Sequence, residues 1–101
     1  MQENDNYTVD DEGNKYWKNK EGKYHSENDN PSIIAANGNK FWHKNGKCHR
    51  ENDQPALIQS NGTIKRWYKE DKLHRENGKP AVVYPDHEEY WENGEIYFPE
   101  I

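Results

Sequence analysis

Apolar side chains in this chain arrive one or two at a time between polar runs, and the alternation has a long period. The stretch GNKYWKNKEGKYHSENDNPSII from Gly13 returns as GNKFWHKNGKCHRENDQPALI from Gly38 and as GTIKRWYKEDKLHRENGKPAVV from Gly62; DHEEYWENGEIYF from Asp86 repeats the first half once more. His25, His49 and His74 are separated by 24 and 25 residues, Pro31, Pro55 and Pro80 by the same steps, and the Glu-Asn pairs at 27, 51 and 76 keep pace. A fixed period of this length marks a repeat architecture whose units bury apolar surface against their neighbours. Tyr7-Thr8-Val9 reads as the closing strand of a preceding unit, which makes about three and a half units.

Each unit predicts a β-hairpin and one further strand. A type I′ turn needs two residues at positive φ, and Asn-Gly tolerates both, so Asn45-Gly46 and Asn93-Gly94 mark hairpins. Glu70-Asp71 holds the same place in the third unit with less suitable residues, and Lys20-Glu21-Gly22 predicts a three-residue loop in the first. These turns fix the register. Trp17 then opposes His25, Trp42 opposes His49, Trp67 opposes His74 and Tyr90 opposes Tyr97, a structural pair in every unit. One residue along, on the other face, Lys18 meets Tyr24, His43 meets Cys48, Tyr68 meets Leu73 and Trp91 meets Ile96. After each His a polar turn leads through Pro into a third strand, where a missing N-H at the head costs no ladder bond. The predicted fold is all-β: an antiparallel β-hairpin repeat meander of about ten to twelve short strands in an elongated single twisted sheet. Its parts are an acidic segment with a partial capping strand (1–12), three repeats (13–37, 38–61 and 62–85) and a truncated acidic capping hairpin (86–101).

Composition changes the meaning of this pattern. Of 101 residues, 33% are charged and 30% hydrophobic, and a mean hydropathy of -1.56 is typical of chains too polar to fold. Four Trp, seven Tyr and a net charge of only -5 point the other way. A single layer accommodates both facts, because rings that each bury on the order of 150–250 Å² replace an aliphatic core. The length excludes a second ordinary domain and a deep catalytic cavity. Cys48 has no second cysteine to pair with, and MQENDNYTVDDEG holds no apolar signal region, so a soluble cytoplasmic protein is expected, in the host cytoplasm if viral. All 14 Lys and Arg lie within residues 13–85 beside 8 acids, so a centre of +6 is flanked by ends of -5 and -6. That asymmetry suits an anionic ligand at the centre or a basic partner at the ends.

The consensus G-x-K-x-W-x-x-x-G-K-x-H-R-E-N-x-x-P-A resembles the MORN-like repeats, particularly a His-Arg-Glu-x-Gly-Pro-Ala variant of phage, giant-virus and some bacterial proteins. The match runs over residues 13–98, most clearly from Trp42 to Ala56 and from Trp67 to Ala81. It departs at Ser26, where Arg is expected, at Ser32 in place of Ala, and in the fourth unit, which lacks the His segment. The resemblance implies a β-hairpin module used for protein binding, scaffolding and, in some cases, membrane association. Small phage members further imply a host-directed role, such as blocking a defence or toxin system in the manner of an anti-CRISPR protein.

Candidate chemistry is sparse. The repeated His-x-Glu-Asn segments, with Cys48 beside His49, raise metal or acid-base chemistry, but a repeat sets one side chain along a line, whereas a metal needs donors around a point. No nucleophile with a base, phosphate-cradling Gly loop or paired carboxylates present themselves, so no catalytic residue, metal or cofactor is assigned and no enzyme is expected. Information about a partner should lie where units differ: His43, Lys44, Arg66, Tyr68, Tyr84, His87 and Trp91, with Arg50 and Arg75 expected opposite Phe41 and Arg66. The candidate binding set is Phe41, His43, Arg50, Arg66, Tyr68, Arg75 and Trp91, which has the Arg-and-aromatic character of an interface hot spot. The competing reading makes the same residues a second packing layer. The favoured function is a non-catalytic module that binds and inhibits or scaffolds a host or partner protein; the alternative is a nucleotide or nucleic-acid binder using Arg and aromatic stacking. Acidic charge and the lack of an amphipathic helix disfavour a membrane surface. Open sheet edges leave room for a homodimer.

Overall fold

The computed structural model describes residues 7–99, so residues 1–6 of the acidic segment and 100–101 of the capping hairpin lie outside the described residues. The strands are β1 (Tyr7–Val9), β2 (Lys15–Trp17), β3 (Ile33–Ile34), β4 (Lys40–Phe41), β5 (His43–Lys44), β6 (Lys47–Cys48), β7 (Leu57–Gln59), β8 (Ile64–Arg66), β9 (Tyr68–Lys69), β10 (Lys72–Leu73), β11 (Val82–Val83), β12 (Glu88–Glu92) and β13 (Glu95–Tyr97). One open antiparallel sheet runs β1-β2-β3-β4-β7-β8-β11-β12-β13, and β5-β6 and β9-β10 form separate two-stranded hairpins. The all-β meander is present and elongated, 47 × 25 × 21 Å. Among the described residues the one helical piece is a 3-10 turn at Ser60–Gly62, and no helix is long and apolar enough to cross a membrane.

The hairpins leave the main sheet at the Trp of each unit, because its backbone serves two partners. Trp17, Trp42 and Trp67 donate their N-H groups to Ser32, Ala56 and Ala81 carbonyls of the third strand, each at 2.8 Å. Their carbonyls accept the His25, His49 and His74 N-H groups, each at 3.1 Å, which realises the expected Trp-His pairing. In the last unit no third strand follows among the described residues, and β12 stays paired with β13 through Tyr90 and Tyr97. The turns obey their residues: Asn45 and Gly46 sit at φ 51° and 88°, Asn93 and Gly94 at 52° and 84°, and Glu70 and Asp71 are held at 50° and 71°. The Glu-Asn segments form a second set of such turns, with Asn28-Asp29, Asn52-Asp53 and Asn77-Gly78 all at positive φ.

Register sorts the side chains into rows across the sheet. Val9, Lys15, Ile34, Lys40, Ile58, Lys65, Val83 and Glu88 are successive partners on the Trp face, an alternation of aliphatic and charged residues. On the opposite, variable face the row is Thr8, Tyr16, Ile33, Phe41, Leu57, Arg66, Val82 and Glu89. The core consists of Trp17, Trp42 and Trp67 with the small Ser32, Ala56 and Ala81 beside them, joined by Leu57, Val82 and His74. Small residues there let the third strand reach the Trp backbone, and the rings supply the apolar area.

Candidate functional site

The repeated His-Arg-Glu-Asn segments are clamps between units. His25, His49 and His74 accept, at Nδ1, the backbone N-H of Asn45, Glu70 and Asn93, the first turn residue of the following hairpin, at 3.0, 3.2 and 2.9 Å. Nδ1 as acceptor leaves the ring proton on Nε2, which faces Glu27, Glu51 and Glu76 at 2.5, 2.5 and 2.6 Å. The bond from His holds Glu51 and Glu76 below the usual carboxylate range. Beside each clamp, the Tyr24, Cys48 and Leu73 carbonyls accept the N-H of Gly46, Asp71 and Gly94, so the hairpins stack tip upon edge along the molecule.

Arg50 and Arg75 belong to the same clamp, which corrects the expectation that they oppose Phe41 and Arg66. Phe41 lies between Ile33 and Leu57, and Arg66 between Leu57 and Val82. The partner switch at Trp is the reason: beyond it, the third strand and not the returning hairpin strand continues the ladder. The guanidinium of Arg50 lies 3.7 Å from the centre of the Trp42 ring and that of Arg75 3.8 Å from Trp67. Each forms a two-pronged bond to an Asp of the preceding unit, Arg50 to Asp29 at 2.9 and 3.1 Å and Arg75 to Asp53 at 2.9 and 3.3 Å. Each also donates to its own unit's Pro carbonyl, Pro55 or Pro80. Arg75, helped by Lys79, keeps Asp53 below its ordinary range. Asp29 and Asp53 are residues the sequence reading missed. Their signal was present: Asp stands one unit before each Arg, and the third unit, whose successor has no Arg, carries Gly78 instead.

The remaining candidates do share one face. His43 is half-buried, its Nδ1 2.6 Å from Ser32 Oγ and its ring 5.3 Å from Tyr24, and burial pushes its pKa down. The departures at Ser32 and His43 are therefore one feature, since Ser32 also donates to the Phe41 carbonyl and fills the place that Ala56 and Ala81 hold elsewhere. Cys48, paired with His43 in the hairpin, is partly buried, and burial lifts its thiol to about 12. Leu57 and Val82 are buried on this face, so part of it is a packing layer. Around Val82 the surface turns polar and aromatic. Arg66 is half-buried with a 3.3 Å bond to the Tyr84 hydroxyl; the Tyr84 ring stacks on His87 at 4.4 Å; Trp91 donates to Glu89 at 3.0 Å. Tyr68 lies on the same face one hairpin earlier, partly exposed, as is Phe41 in the sheet. Near Arg66 by register, Gln59 Oε1 is buried without a hydrogen-bond partner among the described residues, an acceptor that no repeat or motif singles out.

Cavities on the clamp side measure about 160 Å³ between His49 and Arg75, about 260 Å³ in the equivalent place one unit earlier, and about 480 Å³ beside Trp17 and His25. Among the described residues no three of His, Cys, Asp and Glu converge on a point as a metal set would. Compared with known proteins, the chain matches no family model, no curated protein and no solved structure.

Proposed function

We propose that the chain is a non-catalytic MORN-like binding module that docks a partner protein through the variable face, with Arg66, Tyr68 and Trp91 as anchors flanked by Phe41 and His43. The observation that carries this reading is the division of labour between the faces. The recurring His25, His49 and His74 and the recurring Arg50 and Arg75 are engaged in inter-unit bonds, whereas the Arg66-Tyr84-His87-Trp91 surface follows no repeat and leaves rings partly accessible. A host-directed inhibitor or scaffold of a phage or bacterium, acting in the cytoplasm, is the narrower form of this proposal and is supported by the sequence resemblance alone. The test is capture with the whole chain as bait beside Tyr68→Ala and Trp91→Ala. One dominant protein should bind the native chain and be lost from both variants; a partner retained by both would place the interface elsewhere.

Arg66 beside the Tyr84-His87 stack and the partnerless Gln59 carbonyl supports a second reading, a nucleotide held by stacking and by a guanidinium. A thermal-shift panel of nucleotides should then show a shift that Arg66→Ala abolishes; no shift across the panel rejects it.

A further inference from the structure

We propose that the two ends of the molecule are complementary parts of one repeat, and that copies join head to tail, with Thr8 and Val9 of one copy lying along Glu88 and Glu89 of the next. The large apolar residues that stand exposed among the described residues are Tyr7 (44%) and Val9 (54%) in β1, Ile96 (44%) in β13 and Phe98 (83%) just beyond it. Between the ends, such residues are covered by the neighbouring unit. Exposed apolar side chains confined to the two edges of an open sheet mark edges suited to pairing.

The edges also match in kind. Inside the molecule β8 lies between two third strands, β7 and β11. β12 is the equivalent strand of the last unit; β11 covers Glu88 and Glu89 on one side, and β13 pairs only with residues 90–92 on the other. β1 is a third strand without a hairpin before it among the described residues, for Thr8 faces Tyr16 as Ile33 faces Phe41. Setting Val9 against Glu88 and Thr8 against Glu89 reproduces the pairs Val83-Lys65 and Val82-Arg66. Backbone polarity agrees. Asp10 N-H bonds inward to Asn14, so Val9, one residue earlier, turns its N-H outward; Glu89 accepts inward from Ala81, so Glu88 turns outward.

The hairpin column continues across the same junction. Ile96 is the fourth member of the series Tyr24, Cys48 and Leu73, whose carbonyls receive the next hairpin tip. In the head-to-tail contact the next tip is the first hairpin, where Lys18, Lys20 and Lys23 outnumber Glu21, and it meets Glu92 and Glu95. A two-fold dimer through β13 would instead set Glu92 and Glu95 against their own copies. Asp10, Asp11 and Glu12 come near Asp86 and oppose the contact, a repulsion that salt screens within about 8 Å at physiological strength. Because the interface is heterologous and does not close, it extends into open chains of copies.

Sedimentation velocity of the full chain at physiological salt, from micromolar to millimolar protein, tests this. Mass should climb steadily with concentration without halting at two chains. Val9→Pro and Glu88→Pro each remove an outward N-H from one edge, a place where Pro is tolerated, and far-ultraviolet circular dichroism checks that each folds. Each variant alone should stay a monomer, and an equimolar mixture should give dimers and nothing larger, because each retains one competent end. A native chain that is monomeric throughout, a native chain that stops at a dimer, or a mixture that stays monomeric overturns the proposal. The native series decides the matter by itself if a variant fails to fold.

Discussion

Replacing His74 by Ala, Asn and Gln separates the two bonds of a clamp. His74 is buried at 8% exposure; its Nδ1 accepts the Asn93 N-H at 2.9 Å, and its Nε2 faces Glu76 at 2.6 Å. Ala removes the ring from the Trp67 side, a loss of roughly 1.5–2 kcal/mol of burial. It also strips the part-buried Asn93 N-H of its acceptor, costing a further 1–2 kcal/mol or so. A total near 3 kcal/mol is a large fraction of the roughly 5–15 kcal/mol available to a domain of this size. Asn places a carbonyl oxygen about where Nδ1 was, and Gln places an amide about where Nε2 was. The carboxylate of Glu76 is largely in water, so the bond that Gln preserves adds little. Asn should therefore cost about 1 kcal/mol less than Gln. Urea unfolding followed by Trp fluorescence measures this as midpoints at constant slope. Equal midpoints for Asn and Gln, or a higher one for Gln, would refute the claim that the clamp works through Nδ1 on the next hairpin.

Ser32→Ala should lose about 1–2 kcal/mol by leaving the buried side of His43 unpaired, and adding His43→Tyr should recover most of it by recreating the Ala56-Tyr68 combination; a double variant no better than the single one contradicts the pairing. Glu70 at φ 50° carries a left-handed penalty, so Glu70→Asn should stabilise by up to about 1 kcal/mol, read as a higher urea midpoint. Folding lowers the pKa of His43 and of Glu51, Asp53, Glu76 and Asp86, so the stability each contributes is present above its unfolded value, 6.5 for the imidazole and 3.8–4.5 for the carboxylates, and is lost as pH falls further. Cys48 has the opposite sign: its thiol rises from 9.0 to about 12, so its contribution is present below pH 9 and lost above it. The melting temperature should thus fall on both sides of neutrality, and Cys48→Ala should flatten the alkaline limb alone; a melting temperature that rises on acidification from pH 7 to 4 contradicts these signs.

Much of the fold was legible because turns are local. Asn45-Gly46 and Asn93-Gly94 determine hairpins through their own φ preferences, and once turn lengths are set, the opposition of Trp42 to His49 follows by counting. The repeat likewise announces that units stack, and scarce aliphatic residues announce that rings must form the core. What counting cannot supply is the partner of a group whose mate lies in another unit. Arg50 reaches Asp29 across 21 residues and Arg75 reaches Asp53 across 22, and no local preference distinguishes those bonds from a surface guanidinium awaiting a ligand. The sequence by itself determined the unit, its turns and the alternation of its two faces, because these depend on backbone geometry over a few residues. Tertiary structure alone decided that the chain changes partner at each Trp, that Arg50 and Arg75 brace the stack while Arg66 and Trp91 bond within the variable face, and that, among the described residues, β1 and the start of β12 each have one unpaired side. Those outcomes depend on which unit lies beside which, and they are fixed by packing between strands distant in the chain.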